Sequence, residues 1–318
     1  MSFILTYRRP KGGFERPSSP PIDSTQCSDL KPGHQRLLVY EELPDWYRDN
    51  HFMRSGYRPV SHSWFLCMTS LGHLHNETLN VYTHLIPAIC LIVAVVLVQG
   101  AINYSFPEAT FLDRAVFTSN ITAAVVTMTL SSAYHTLINH SQHVSLLWLR
   151  IDYVGILILI LGSFFSGIYV GLYDEPTLCL VYWSMIISLS LITSILVLHP
   201  RLQGLQYRTH RTWAFIATGL SGFAPIGHGL CLYGWQEMWV RSGMPYYFLE
   251  GIGYGIGAFF FITQIPESIW PGYFDIWFSS HQIFHLFVVA ASLVHMYGVW
   301  QAFSWHYANQ HNNFVPGI

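Results

Sequence analysis

A chain of 318 residues with 52% hydrophobic and only 10% charged side chains is too apolar for an ordinary soluble enzyme, so the lipid bilayer is its solvent. A formal net charge of −2, with no basic face outside a mixed-charge N-terminal region, excludes nucleic acid as a partner. The five cysteines, Cys27, Cys67, Cys90, Cys179 and Cys231, are scattered without C-x-x-C spacing, which argues against a thiolate metal site or a disulfide framework.

Residues 1–40 are rich in proline, glycine and charge, and such a composition buries too little apolar surface to offset its ordering entropy, so a disordered segment is expected. Met1–Pro20 is broken by charges and prolines before any apolar core, so no cleavable signal is expected and the first span serves for targeting. Residues 41–80 form a juxtamembrane region, in which Ser63–His75 reads as an interfacial helix anchored by Trp64 and Phe65.

Residues 81–302 then hold seven apolar stretches, near 81–99, 115–137, 148–172, 177–198, 212–233, 246–264 and 281–302. A hydrocarbon core about 30 Å thick needs about 20 helical residues, and unbroken runs such as Ile86–Val98 lack the alternation of a barrel strand. The fold class is therefore all-α, an integral membrane bundle of seven helices, followed by a short tail at 303–318. Pro87 and Pro225 are expected to kink their helices. Ser163, Gly167 and Gly171, with the pairs Gly251/Gly255 and Gly253/Gly257, follow the small-xxx-small spacing of close helix contacts.

Nine of the fifteen basic residues precede the first span, and Arg150, Arg201, Arg208 and Arg211 sit in or beside the second and fourth loops. Positive charge is retained on the cytoplasmic side, which puts the N-terminus in the cytoplasm and the C-terminus outside or in a lumen. With that orientation His135 ends the second span, while His281 and His285 begin the seventh, in one shallow layer on the cytoplasmic side.

An i, i+4 pair such as His281 and His285 stacks two imidazoles on one helix face, and His135 supplies a third nitrogen. Three neutral imidazoles with an open fourth position suit a catalytic zinc ion, which lowers the pKa of a bound water to about 7. The residues between the paired histidines are Gln282, Ile283 and Phe284, so the base of an H-E-x-x-H protease is absent. Asp152, one turn into the third span, is the candidate base, and Ser131, one turn before His135, is placed to hydrogen-bond water or substrate.

Glu77, Asn80 and His84 form E-x-x-N-x-x-x-H at the entry to the first span, where a structural, helix-tying role is expected. His295 lies about 15 Å deeper than His285 and cannot share its ion. His228 reads as a polar packing residue.

Taken in order, Glu77-x-x-Asn80-x-x-x-His84, Ser131-x-x-x-His135, Asp152-Tyr153-x-Gly155 and Pro271-Gly272-x-Phe274-Asp275 leading to His281-x-x-x-His285 resemble the progestin and adiponectin receptor family. The wider group includes hemolysin-III-related proteins and, more distantly, alkaline ceramidases. The resemblance covers about residues 43–302 and implies a heptahelical bundle with a cytoplasmic N-terminus and zinc on His135, His281 and His285, with Asp152 and Ser131 nearby. It further implies a lipid-accessible cavity, hydrolysis of a ceramide-like amide, and roles as a hormone receptor or regulator of lipid and zinc homeostasis in a plasma membrane or endomembrane. The partners to expect are the lipid bilayer, a long-chain lipid as substrate or ligand, and an extracellular ligand.

Two functional classes remain open on the sequence: a zinc-dependent lipid amide hydrolase coupled to signalling, and a non-catalytic receptor in which zinc is structural. A bis-histidine haem carrier would leave one of the paired histidines idle. Few charges line the spans and the halves show no repeat, which argues against a channel or a secondary transporter.

Overall fold

The computed structural model describes residues 36–202 and 204–312, and among these the architecture is helical, with one isolated antiparallel bridge between Leu38 and Tyr57. The disorder expected for residues 1–40 falls mostly outside the described residues. Where it does not, Leu38 is already tied to Tyr57 by backbone hydrogen bonds of 2.7 and 3.1 Å, so order begins before residue 41.

A short helix α1 (Trp64–Thr69) precedes the long helices α2 (Thr78–Ser105), α3 (Phe111–Leu137), α4 (Gln142–Gly171) and α5 (Pro176–Leu198). They are followed by α6 (Arg208–Leu220), α7 (Phe223–Arg241), α8 (Met244–Thr263) and α9 (Ser280–Asn312). Six helical stretches are long and apolar enough to cross a membrane, with α6 and α7 counted as one from Arg208 to Arg241. The remaining one, α8, has 20 residues, carries Glu250 and packs lengthwise against α9, which completes the seven-helix bundle. The interfacial helix expected at Ser63–His75 is shorter: Ser63 caps α1 by accepting from the Leu66 amide, and a 3-10 turn at Ser70–Gly72 follows. At the other end of the chain α9 continues to Asn312, so residues assigned to the tail extend the seventh helix and bury Phe303.

Lipid cannot hydrogen-bond a backbone, so each span closes its own ladder, and the interruptions fall at proline and glycine. Pro87 lies inside α2; Ser221 and Gly222 separate α6 from α7 just before Pro225; and Gly234 takes a positive φ of 74° within α7.

The extensive contacts of α3 with α4 depend on small residues. A Cβ on Gly162 would stand 2.4 Å from the Cβ of Ala123, and Thr127 Oγ1 donates to the Gly155 carbonyl at 2.7 Å across the same seam. Gly162→Ala is therefore expected to cost about 1–3 kcal/mol by overpacking. Gly251→Ala, where nothing lies within 4 Å, is expected to be neutral or slightly stabilising. Thermal unfolding of the two purified variants checks this, and equal midpoints would contradict it.

At the end of the bundle away from residues 36–77, the fully buried Asp113 binds three helices together. Its carboxylate accepts from Tyr169 (2.7 Å) and Tyr173 (3.2 Å) of α4, Tyr307 (2.9 Å) of α9, and the backbone and hydroxyl of Thr110 (2.7 and 2.6 Å).

At the opposite end, residues 36–77 and the loop between α8 and α9 form a cap. Asp275 accepts from the Arg54 amide (2.9 Å) and the Ser55 hydroxyl (2.7 Å). The enclosed Glu267 accepts from the Ser280 amide (2.8 Å) at the start of α9 and from Asn50 (3.1 Å). Arg58, 3% exposed, donates to the carbonyls of His135 (2.6 Å) and Thr136 (3.0 Å), placing a cation on the last turn of α3.

His75 is buried in this cap, and burial, with the Arg58 charge adding to it, pushes its pKa from 6.5 down to about 3. The unfolded chain then binds the extra proton first, so the contribution is complete above about pH 6.5 and is lost as pH falls toward about 3, with a slope of at most about 1.4 kcal/mol per unit. In acid titrations followed by thermal unfolding, His75→Asn is expected to lose stability less steeply than wild type. Parallel curves would contradict this.

Candidate metal centre

Three helix ends meet beneath the cap. His135 occupies the last turn of α3, and His281 and His285 the first two turns of α9. Their ligand nitrogens all lie within 4.8 Å of one another, with His135 Nε2 and His281 Nε2 only 3.2 Å apart.

The outer nitrogens are already committed. His135 Nδ1 is 2.8 Å from Glu77 Oε2, so this nitrogen carries the hydrogen and Nε2 is left as a lone pair facing the cluster. His285 Nδ1 lies 3.1 Å from both the Asn80 carbonyl and the Thr83 hydroxyl, which directs its Nε2 inward too. Lone pairs converging in a buried space repel unless a cation or a shared proton stands among them. The group therefore fits a metal ion, with nitrogen donors of the kind that bind first-row metals.

Glu77 does more than the helix-tying expected from the sequence. Although it precedes α2, its side chain does not cap that helix. It accepts from Asn80 Nδ2 at 2.7 Å and from His135, forming a carboxylate–histidine pair that holds the ring in one tautomer. Burial pushes the Glu77 carboxyl up, but the hydrogen bonds from His135 and Asn80 and the nearby Arg58 charge outweigh it and hold the carboxyl below the usual range. His84, one turn beyond Asn80, stacks on His285 with ring centroids 3.7 Å apart and planes 9° from parallel. Its two ring nitrogens have no hydrogen-bond partner among the described residues.

Ser131 is buried one turn before His135, and Asp152 is half-buried nearly three turns into α4, which begins at Gln142. Ser131 and His135 both lie close enough to the Asp152 carboxyl to act on it. Thus the residues singled out in the sequence, namely the three histidines, Asp152, Ser131, Glu77, Asn80 and His84, gather at one end of the bundle. His295 and His228 stand apart, bonded respectively to Ser166 and Glu250, and to Tyr182.

The arrangement sits within a recognisable lineage. Residues 72–296 match the family described as Haemolysin-III related. The chain is 35% identical to the ADIPOR-like receptor IZH2 of Saccharomyces cerevisiae over 281 residues, covering 88% of each protein. It is 33% identical to Progestin and adipoQ receptor-like protein 1 of Caenorhabditis elegans, covering 93% of this chain and 73% of the relative. It is also 33% identical to Heptahelical transmembrane protein 3 of Arabidopsis thaliana, covering 82% and 86%. With a family match across most of its length and relatives above 30% identity over nearly the whole bundle, the chain is a multi-pass membrane protein of the Haemolysin-III related, adiponectin-receptor-like family.

Proposed function

We propose that the protein is a zinc-dependent hydrolase of a long-chain, ceramide-like lipid amide, coupled to signalling and to lipid and metal homeostasis. The observation that carries this reading is the convergence of His135, His281 and His285, with Glu77 fixing the first ring from behind. The basic bias of the N-terminal region supports a cytoplasmic position for the cluster, which lies within the first or last two turns of its helices and so near a lipid's headgroup region.

His135, His281 and His285 hold the ion, which when bound supplies a Lewis acid that polarises the amide carbonyl and acidifies water. Asp152 takes a proton from the attacking water and delivers it to the amide nitrogen as the C–N bond breaks, leaving a fatty acid and a free amine. Ser131 orients the Asp152 carboxylate through its hydroxyl.

Metal content and fatty-acid release from a long-chain ceramide, measured together on the purified protein, test the proposal. Wild type is expected to release fatty acid, and Asp152→Asn to keep its metal while slowing release by about 100-fold or more. Metal-loaded wild type that releases nothing would favour the non-catalytic reading, in which the ion ties α3 to α9 in a signalling receptor; the receptor names of the relatives support that alternative.

A further inference from the structure

A second group of ionisable side chains lies inside the bundle, away from the histidine cluster. His295 of α9 reaches Glu250 of α8 through Nδ1, 2.7 Å from Oε2, and Ser166 of α4 through Nε2, 2.9 Å from Oγ. None of the three is more than 9% exposed. An ionisable pair at such a depth is costly, and is retained where it has work to do.

Among the described residues no Lys or Arg pairs with Glu250. Helices α8 and α9 contain no Lys or Arg over their described ranges; Arg114 stands in the first turn of α3, and Arg150 of α4 lies sixteen residues, about 24 Å, from Ser166 along the helix. On α7, Arg241 is taken by Asp174 and Glu237. The other groups facing Glu250 are Tyr247 and Tyr254 of α8, the latter 3.3 Å from the Ser292 hydroxyl of α9. The carboxylate of α3, Asp113, is occupied by Tyr169 and Tyr173 of α4. With nothing else to neutralise it, the charge of the pair depends on how many protons it holds.

The hydrogen bonds admit two self-consistent patterns. In one, the Ser166 hydroxyl donates to His295 Nε2 while Nδ1 donates to the Glu250 carboxylate, and the pair carries one negative charge. In the other, Nε2 bears a hydrogen and donates to Ser166 Oγ, whose own hydrogen turns to the carbonyl of Gly162 (2.9 Å) or Ser163 (3.1 Å). The short contact between His295 and Glu250 still encloses a hydrogen, so the pair is now neutral. The two patterns differ by one proton and one hydroxyl rotation. Although the order serine, histidine, carboxylate is also that of a hydrolytic triad, Ser166 is wholly enclosed and has no face for a substrate.

We propose that Glu250, His295 and Ser166 form an intramembrane proton-binding site, separate from the metal centre, that takes up one proton per chain with Ser166 as the rotating acceptor or donor. Infrared difference spectroscopy on metal-loaded, full-length protein in lipid nanodiscs tests it by acid titration across the range in which the fold is stable. Wild type is expected to show a carboxyl or imidazolium band on acidification that is lost in Glu250→Gln and in His295→Gln, with metal content unchanged. Ser166→Ala is expected to shift the band without removing it. Identical difference spectra for wild type and folded, metal-loaded Glu250→Gln would overturn the proposal. That result would leave the hydrolase reading untouched, because neither residue contacts the three clustered histidines.

Discussion

Protein purified with His281→Ala is expected to hold metal at least about 100-fold more weakly than wild type, leaving it nearly metal-free after dialysis against a mild chelator. Elemental analysis of the two preparations reads this directly. The three rings form a near-equilateral triangle, with centroids 4.7 to 5.0 Å apart, so removal of His281 leaves two donors where a stable site needs three. Glu77→Gln gives a graded companion. The amide can still meet His135 but no longer offers a charged acceptor, and a loss of about 10–100-fold in affinity follows from weaker orientation of the ring. Wild-type metal content in His281→Ala would remove the ligand assignment, and the hydrolytic proposal with it.

Asp113→Ala is expected to be the most destabilising single change, costing about 3–5 kcal/mol and lowering the thermal midpoint by about 10 °C. The carboxylate is wholly enclosed, and its loss removes the shared acceptor of the Tyr169 and Tyr307 hydroxyls and one acceptor of Tyr173. It also ends the reciprocal cap at the start of α3, where Asp113 and Thr110 accept from one another's backbone amides. Asp113→Asn keeps one acceptor oxygen and should lose roughly half as much. Thermal unfolding in detergent separates the three proteins, and an Asp113→Ala midpoint equal to wild type would contradict this account.

The seven-helix architecture was legible in the apolar runs because bilayer thickness sets the length a helix needs. The least apolar of the expected spans, near 246–264, is the helix that carries Glu250 and leans on α9 rather than standing out by composition. The kink expected at Pro225 appears as a full interruption at Ser221–Gly222, one turn ahead of it, where a proline's clash with the carbonyl four residues earlier falls. Small-residue spacing identified the right kind of contact and only some of the right residues. Gly253 and Gly257 pack against Ala291, Phe284 and Phe287, yet Gly251 and Gly255 have open space. The tightest α3–α4 approach, at Gly162, was not singled out although Gly162 and Ser166 share the same spacing, because spacing alone does not say which of two adjacent small-residue faces meets Ala123.

The site divided in the same way. Helical spacing alone stacks His281 over His285, and span direction alone brings His135 to their level. The bond from His135 to Glu77 spans 58 residues and has no local signature. A clue was nonetheless present: Glu77, Asn80 and His84 repeat at three and four residues, so whatever face one of them presents, all present. The same arithmetic that united the α9 histidines would have directed this stripe toward them. The Glu250–His295 pair was invisible for a different reason, since it joins two helices whose relative register only packing determines.

Helix α9 runs unbroken through 33 residues and contains no proline, while α2 carries one and the stretch from α6 to α7 is interrupted. At one end it presents two imidazoles to the cluster; at the other, Tyr307 grips Asp113. Such a rod shifts as a unit, and a small slide or roll at its distal tip arrives at the chelating end hardly diminished. Any ligand on the far side of the membrane that prefers the rod's chelating register would therefore strengthen ion capture by some factor, and by thermodynamic reciprocity the captured ion would strengthen that ligand's grip equally.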